Sequence, residues 1–166
     1  EMDRANEIVT SFLSMSTNKL ISPQLEDLNQ TISSIFPLIQ ADATRADKVV
    51  ELDLEPLPRL MIDLNEIRQM IINLARNGLE SMPGRGTLVI GSRCQGSQAV
   101  LFVRDQGTGL DPAVINKIGT PFTTTKENGI GIGLAVCYSI AARHKAEIEF
   151  ETSPKGTTFY VKFNIS

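Results

Sequence analysis

The sequence predicts an α+β fold: a two-layer α/β sandwich with helices packed on one face of a mixed, mostly antiparallel sheet, preceded by an amphipathic helix. Three observations predict it. Apolar residues recur at helical spacing behind recognisable caps, strand-like runs come as hairpins in blocks, and 166 residues suffice for one main core with a short appendage and no disulfide or metal staple.

Residues 3 to 17 place Ile8, Phe12 and Met15 on one helical face, broadened by Val9 and Leu13, before Pro23 interrupts the chain. Asp27 with Gln30 three residues on reads as a helix start, and Leu28, Ile32, Ile35 and Ile39 continue a stripe that Pro37 is expected to kink or divide. Val49 to Leu54 alternates apolar with charged positions, and Leu60 to Ile62 follows a loop holding Pro56 and Pro58, so two strands are expected. The strongest helix begins at Asp63, with Glu66 completing a capping box, and runs to about Met82; its apolar face is Ile67, Met70, Ile71, Leu74 and Leu79. Thr87 to Arg93 and Ala99 to Asp105 form a hairpin through Gln95, Gly96 and Ser97. Asp111 and Pro112 cap and open a short helix. Residues 119 to 133 have no periodicity and read as a long loop, followed by a helix from about Leu134 to Arg143 and a hairpin of Ile148 to Thr152 with Thr157 to Asn164.

Lys and Arg total 16 against 19 Asp and Glu, a net charge of -3 that attracts no polyanion, so nucleic acid is not an expected partner. The longest apolar run, Ile130 to Ala142, is broken by Gly131, Gly133, Tyr138 and Ser139 and is shorter than the ~20 residues of a membrane span. No signal peptide is visible, and the domain is expected in the cytoplasm. Cys94 and Cys137 lack metal-ligand spacing and read as free thiols of a reducing compartment.

Four sequence features carry chemistry. Asn73 and Asn77 stand one helical turn apart, on the face expected to lie opposite the apolar stripe, and an amide oxygen suits Mg²⁺, which takes one or two protein ligands beside substrate phosphates. Asp105 ends an apolar strand and precedes Gly107 and Gly109; its acceptor-only carboxylate can take a hydrogen bond from the exocyclic amine of adenine while the glycines admit the base against the backbone. The same residues also make an ordinary turn, and the asparagines an ordinary solvated face. Gly129, Gly131 and Gly133 open a helix, where free amides attract phosphate, although no Lys-Ser or Lys-Thr follows as in a P-loop. Lys126 in the preceding loop can bring a positive charge to a terminal phosphate.

Together these segments resemble the sensor histidine kinases, within the wider ATPase group that includes gyrase, the mismatch-repair ATPases and a heat-shock chaperone. The asparagine box is INLARNGLESM from Ile72, the first glycine box DQGTG from Asp105, a phenylalanine box PFTTTK from Pro121, the second glycine box GIGIGL from Gly129, and GTTF starts at Gly156, all in the family's order. The resemblance implies that the chain binds ATP and Mg²⁺: Asn77 as metal ligand with Asn73 beside it, Asp105 on adenine with Gly107 and Gly109, and Thr124, Thr125 and Lys126 in a lid. Gly129, Gly131, Gly133 and Leu134 would surround the phosphates, Arg76 would be a further phosphate contact, and Thr157 would lie near Asp105.

By the same resemblance, residues 1–22 look like the end of a dimerisation and phosphotransfer helix, and 23–166 like the catalytic domain. The acceptor histidine would then sit on a segment outside this sequence, in a homodimeric protein that signals to a response regulator and whose membrane anchoring stays open. His144, the single histidine, reads as a residue ending its helix and not as an acceptor. Departures are Gly78 for a usual alanine, Glu80 for a frequent basic residue, Ile130 for a small hydroxyl residue, and Lys145-Ala146 for a frequent Gly-Gly. Two alternatives remain open: an ATP hydrolase of the gyrase type, against which Asn73 stands where a catalytic glutamate would be needed, and an anti-sigma type regulatory or serine-kinase module.

Overall fold

The computed structural model describes residues 20–118 and 133–165. The expected helix at 3–17, the loop threonines, Lys126, Gly129 and Gly131 lie outside the described residues.

The described elements are β1 (Gln24–Glu26), α1 (Leu28–Arg45), β2 (Val49–Leu54), β3 (Leu60–Ile62), α2 (Leu64–Ser81), β4 (Thr87–Gln95), β5 (Gln98–Arg104), α3 (Pro112–Ile115), α4 (Gly133–Arg143), β6 (Glu147–Ser153) and β7 (Gly156–Asn164). Five strands form a sheet in the order β2-β4-β5-β7-β6; β2 runs parallel to β4 and the remaining neighbours are antiparallel. The mixed, mostly antiparallel sheet is therefore as expected. Strand β3 departs from the single sheet the sequence suggested: it pairs with β1, Leu25 opposite Met61, as a separate two-stranded ribbon. A three-residue strand after Pro23 is too short to carry a period-2 pattern, which is why β1 has no sequence signature.

Caps set the helices where the sequence placed them. The Asp27 carboxylate accepts from the Gln30 amide at 3.2 Å, and α1 buries Leu28, Ile32, Ile35 and Ile39. Pro37 does not divide α1, which continues for 18 residues. Pro37 and Ser33 are both exposed, so water can satisfy the carbonyl that the proline leaves without an N–H donor. Asp63 caps α2, its Oδ1 accepting from Asn65 and Glu66 amides at 3.0 and 3.3 Å. Asp111 caps α3 through the Ala113 amide at 2.8 Å.

One sheet face makes the core with the helices. Leu88 and Ile90 of β4, Leu101 and Val103 of β5, and Phe159 and Val161 of β7 pack with Ile67, Met70, Ile71 and Leu74 of α2 and with Val136 and Ile140 of α4. Burial of such side chains contributes about 1.5 to 3 kcal/mol each. On the other face the Phe102 ring lies under the guanidinium groups of Arg93 and Arg104, each 5.0 Å from its centroid. Among the described residues no helix is long and apolar enough to cross a membrane.

Candidate functional site

Asp105 emerges from β5 into the space between the end of α2 and the β6–β7 hairpin, and only 6% of it is exposed. Burial of an ionised carboxylate requires compensation. Its Oδ1 accepts from the Gly107 amide at 2.8 Å and the Thr157 amide at 3.0 Å, and its own amide donates to the Thr157 carbonyl at 2.9 Å. Two bonds thus hold the carboxylate in one orientation, and the two that involve Thr157 join the first glycine box to the GTTF segment, distant in sequence. The Thr157 and Thr152 hydroxyls meet at 2.9 Å, and Thr152 Oγ1 accepts from the Leu110 amide at 2.9 Å, which extends the network along the loop.

The glycines here answer to the protein's own packing. A Cβ at Gly107 would stand 2.4 Å from Ser81 Oγ and 2.6 Å from the Ser81 carbonyl oxygen. At Gly156, with φ +143°, it would stand 2.2 Å from the Asp105 carbonyl oxygen. The sequence-based reason, room for a base, is not needed to explain Gly107. Gly78 lets α2 approach the sheet, since a Cβ there would lie 2.5 Å from Leu88 Cδ1 and 3.4 Å from Asp105 Cβ. This accounts for glycine inside a helix despite its propensity cost of about 1 kcal/mol.

A cavity of about 190 Å³ opens beside Asp105, bounded by Asn77, Gly109, Leu110, Val114, Thr157 and Phe159, with Glu80 and Ser81 also on its wall. Carboxylate at the head and apolar walls along the sides suit a flat heterocycle with one polar edge. Of the sequence-derived site residues the structure brings Asn77, Asp105, Gly109 and Thr157 to this cavity, with Gly107 bracing Asp105.

Others stand apart. Asn73 and Asn77 are half-buried at the edge of the α2 core face instead of opposite it, because α2 is packed by both the sheet and α4 and its buried arc is wide. Asn73 Oδ1 accepts from the Gln69 side chain at 3.1 Å. Arg76 turns to Asp42 of α1 at 3.5 Å and lines a different cavity, of about 330 Å³, with Asp42, Lys48 and Glu80. Gly133 opens α4 as expected, and no described residue lies within 4 Å of where its Cβ would be. Leu134 is the next residue of the same helix. Sequence reasoning missed the apolar wall of Leu110, Val114 and Phe159; the period-2 pairing of Phe159 with Thr157 on β7 was the available signal.

The region from residue 62 to 166 matches the model of the histidine kinase-, DNA gyrase B- and HSP90-like ATPases. The chain belongs to this ATPase family. Its relatives place it on the histidine kinase branch: it is 33% identical to sporulation kinase B of Bacillus subtilis (strain 168) over 164 residues, covering 98% of this chain and 38% of that one. It is 30% identical to the sensor histidine kinase ZraS of Klebsiella oxytoca over 171 residues, 99% of this chain and 37% of the relative. The chain thus spans well under half the length of these curated relatives and corresponds to their ATP-binding catalytic domain. The fold agrees: a histidine kinase AdeS of Acinetobacter baumannii superposes with a TM-score of 0.84 at 22% identity, over 99% of this chain and 80% of that one. The histidine kinase ThkA, solved in complex with the response regulator protein TrrA, gives 0.80 at 24% identity, over 99% of this chain and 48% of that one.

As a member of this family the chain binds ATP. Among the described residues no group of three or more His, Cys, Asp or Glu side chains could hold a metal. The Asn77 amide oxygen, with Glu80 on the same cavity wall, is a hard-oxygen donor set of the kind Mg²⁺ takes beside nucleotide phosphates and water.

Proposed function

We propose that this chain positions Mg²⁺-ATP for transfer of the γ-phosphoryl group to a histidine on a dimerisation segment outside this sequence, within a homodimeric sensor kinase that signals to a response regulator. The observation that carries the reading is the Asp105 carboxylate, buried at 6% exposure, fixed by the Gly107 and Thr157 amides and facing an apolar-walled cavity beside Asn77. In this reading the carboxylate accepts from the adenine amine, which guanine replaces with an oxygen, and Leu110, Val114 and Phe159 enclose the base. Asn77 supplies one amide oxygen to Mg²⁺, which neutralises phosphate charge. Thr124, Thr125 and Lys126 form a lid, and Gly129, Gly131, Gly133 and Leu134 surround the phosphates at the start of α4. Arg76, directed to Asp42, is left out of the first set of contacts.

Phosphoryl transfer depends on positioning and charge neutralisation, and Asn73 supplies an amide that cannot take a proton from water, which favours transfer over hydrolysis. The similarity to named sporulation and sensor kinases, and the response regulator bound to ThkA, support the choice of acceptor and partner. His144 is a poor acceptor in this arrangement: α4 separates it from Gly133 by about 15 Å. The test is calorimetry with ATP and GTP, with and without Mg²⁺, on the parent and Asn77→Ala. We expect selective ATP binding that Mg²⁺ strengthens, and loss of most of that enhancement in Asn77→Ala. Equal binding of GTP, or a full Mg²⁺ enhancement in the variant, would refute the assignment. Transfer itself is tested by adding a fragment containing the acceptor helix pair and assaying acid-labile phosphate, expected on that fragment and absent from His144.

A further inference from the structure

The sequence predicts a local capping box at the start of α2, in which Glu66 would reach back to the Asp63 amide. The structure gives that amide a partner 81 residues away: it donates to Nε2 of His144 at 3.1 Å. Glu66 meets the adjacent Arg143, Nε to Oε1 at 2.5 Å, with both side chains about 5% exposed or less. Two consecutive residues at the end of α4 thus grip two residues at the start of α2. The imidazole has one compatible form. Its Nδ1 lies 2.8 Å from the Ile140 carbonyl oxygen and must donate, while Nε2 must accept, so His144 is the neutral Nδ1–H tautomer. Phe163 packs edge-on against the ring, 6.5 Å between centroids, and the Ser22 amide donates to Asp63 Oδ2 at 2.9 Å, tying the incoming chain to the same point.

Helix α2 bears Asn77, and helix α4 opens at Gly133; the contact of Cys137 Sγ with the Met70 carbonyl at 3.6 Å joins the two helices midway. Axial slippage of either helix would move the asparagine relative to the phosphate end of α4, whereas Asp105 and Thr157 are held through β5 and β7. We propose that His144 is a positioning residue: by accepting from the Asp63 amide it sets the register of α2 against α4, and thereby the alignment of the Asn77 amide with the phosphate-binding end. The inference rests on the proposed nucleotide reading.

The test uses two substitutions that divide the imidazole. His144→Asn places an amide near the Nδ1 position and can keep the bond to Ile140 but cannot reach Asp63; His144→Gln places an acceptor near Nε2. Calorimetry with adenosine and with a Mg²⁺-bound non-hydrolysable ATP analogue is run on the parent and both variants, well below their unfolding temperatures. Misaligning one polar contact forfeits about the net worth of a hydrogen bond, so His144→Asn is expected to weaken the metal-bound analogue by at least about fivefold. Adenosine affinity should fall distinctly less than the analogue's, since Asp105 and Thr157 stay in place, and His144→Gln should restore the analogue's affinity. Parental affinity in His144→Asn, equal losses for adenosine and analogue, or no recovery with His144→Gln would overturn the proposal. An unfolded His144→Asn beside a folded, fully binding His144→Gln would show that the acceptor serves folding alone, and would also overturn it. Failure of the parent itself to bind the analogue in a Mg²⁺-dependent way would instead bring down the functional reading.

Discussion

Replacing Asp105 by asparagine separates its two duties. In the folded protein Oδ1 accepts from the Gly107 and Thr157 amides at 2.8 and 3.0 Å, and Oδ2 lies on the Gly78 side. Asp105→Ala would leave both buried amides without that acceptor, at about 1 to 3 kcal/mol each, or roughly 2 to 6 kcal/mol against a typical domain stability of about 5 to 15. In that variant a loss of nucleotide would mix lost contact with lost stability. Asp105→Asn keeps an oxygen for the two amides and gives up only their charge assistance, about 1 kcal/mol for each bond. Its NH₂ group, however, presents a donor where the adenine amine also donates. Losing a hydrogen bond to a charged group costs about 1.5 to 3 kcal/mol, so ATP affinity should fall roughly 10- to 150-fold. The assay is calorimetric titration of ATP into the asparagine variant, with thermal unfolding as the control. A folded Asp105→Asn protein with parental ATP affinity would refute the adenine assignment while leaving the structural network intact.

Gly156→Ala should destabilise by at least about 3 kcal/mol, since φ +143° is foreign to an L side chain and the new Cβ would meet backbone at 2.2 Å; chemical denaturation gives the value, and a loss under 1 kcal/mol would contradict the geometry. Burial raises the Asp63 carboxyl pKa, but amide donors from Ser22, Glu66 and Asn65 outweigh it and hold the group below the ordinary aspartate range. Because the folded pKa is the lower one, this stability is full above the unfolded value near about 3.9 and lost as pH falls through the folded value. Asp63→Ala should therefore cost about 0.5 to 2 kcal/mol at pH 7, and the gap to the parent should close in acid denaturation below about pH 4. Exposed Cys94 should react with a thiol reagent within minutes, while Cys137, buried and with its thiol pushed well above its usual range, should react only on unfolding; mass spectrometry of the labelled sites decides.

Much of the fold was legible because its signals are local. Caps at Asp27, Asp63 and Asp111 need only a carboxylate two or three residues before free amides, and the turn at Gly96, with φ +59°, needs only a residue that tolerates it. The asparagine pair, the Asp-x-Gly-x-Gly turn and the glycine run are likewise short segments, legible as patterns of neighbouring residues. The apolar wall of Leu110, Val114 and Phe159 was not legible in this way, because ordinary core-type residues come to line a cavity only when segments distant in sequence meet.

The sequence by itself determined the element types other than β1, the α+β class and the identity of the residues bearing donors and acceptors, since periodicity, caps and functional groups are properties of neighbouring residues. Tertiary structure decided which of them meet. It paired β3 with β1, sent Arg76 to Asp42, braced Asp105 from Thr157 52 residues away, and gave the Asp63 amide to His144 in place of its own helix. Each of these is a contact between segments whose separation in the chain says nothing of their distance in space, and burial of the shared core, which brings those segments together, is cooperative and not readable from any one of them.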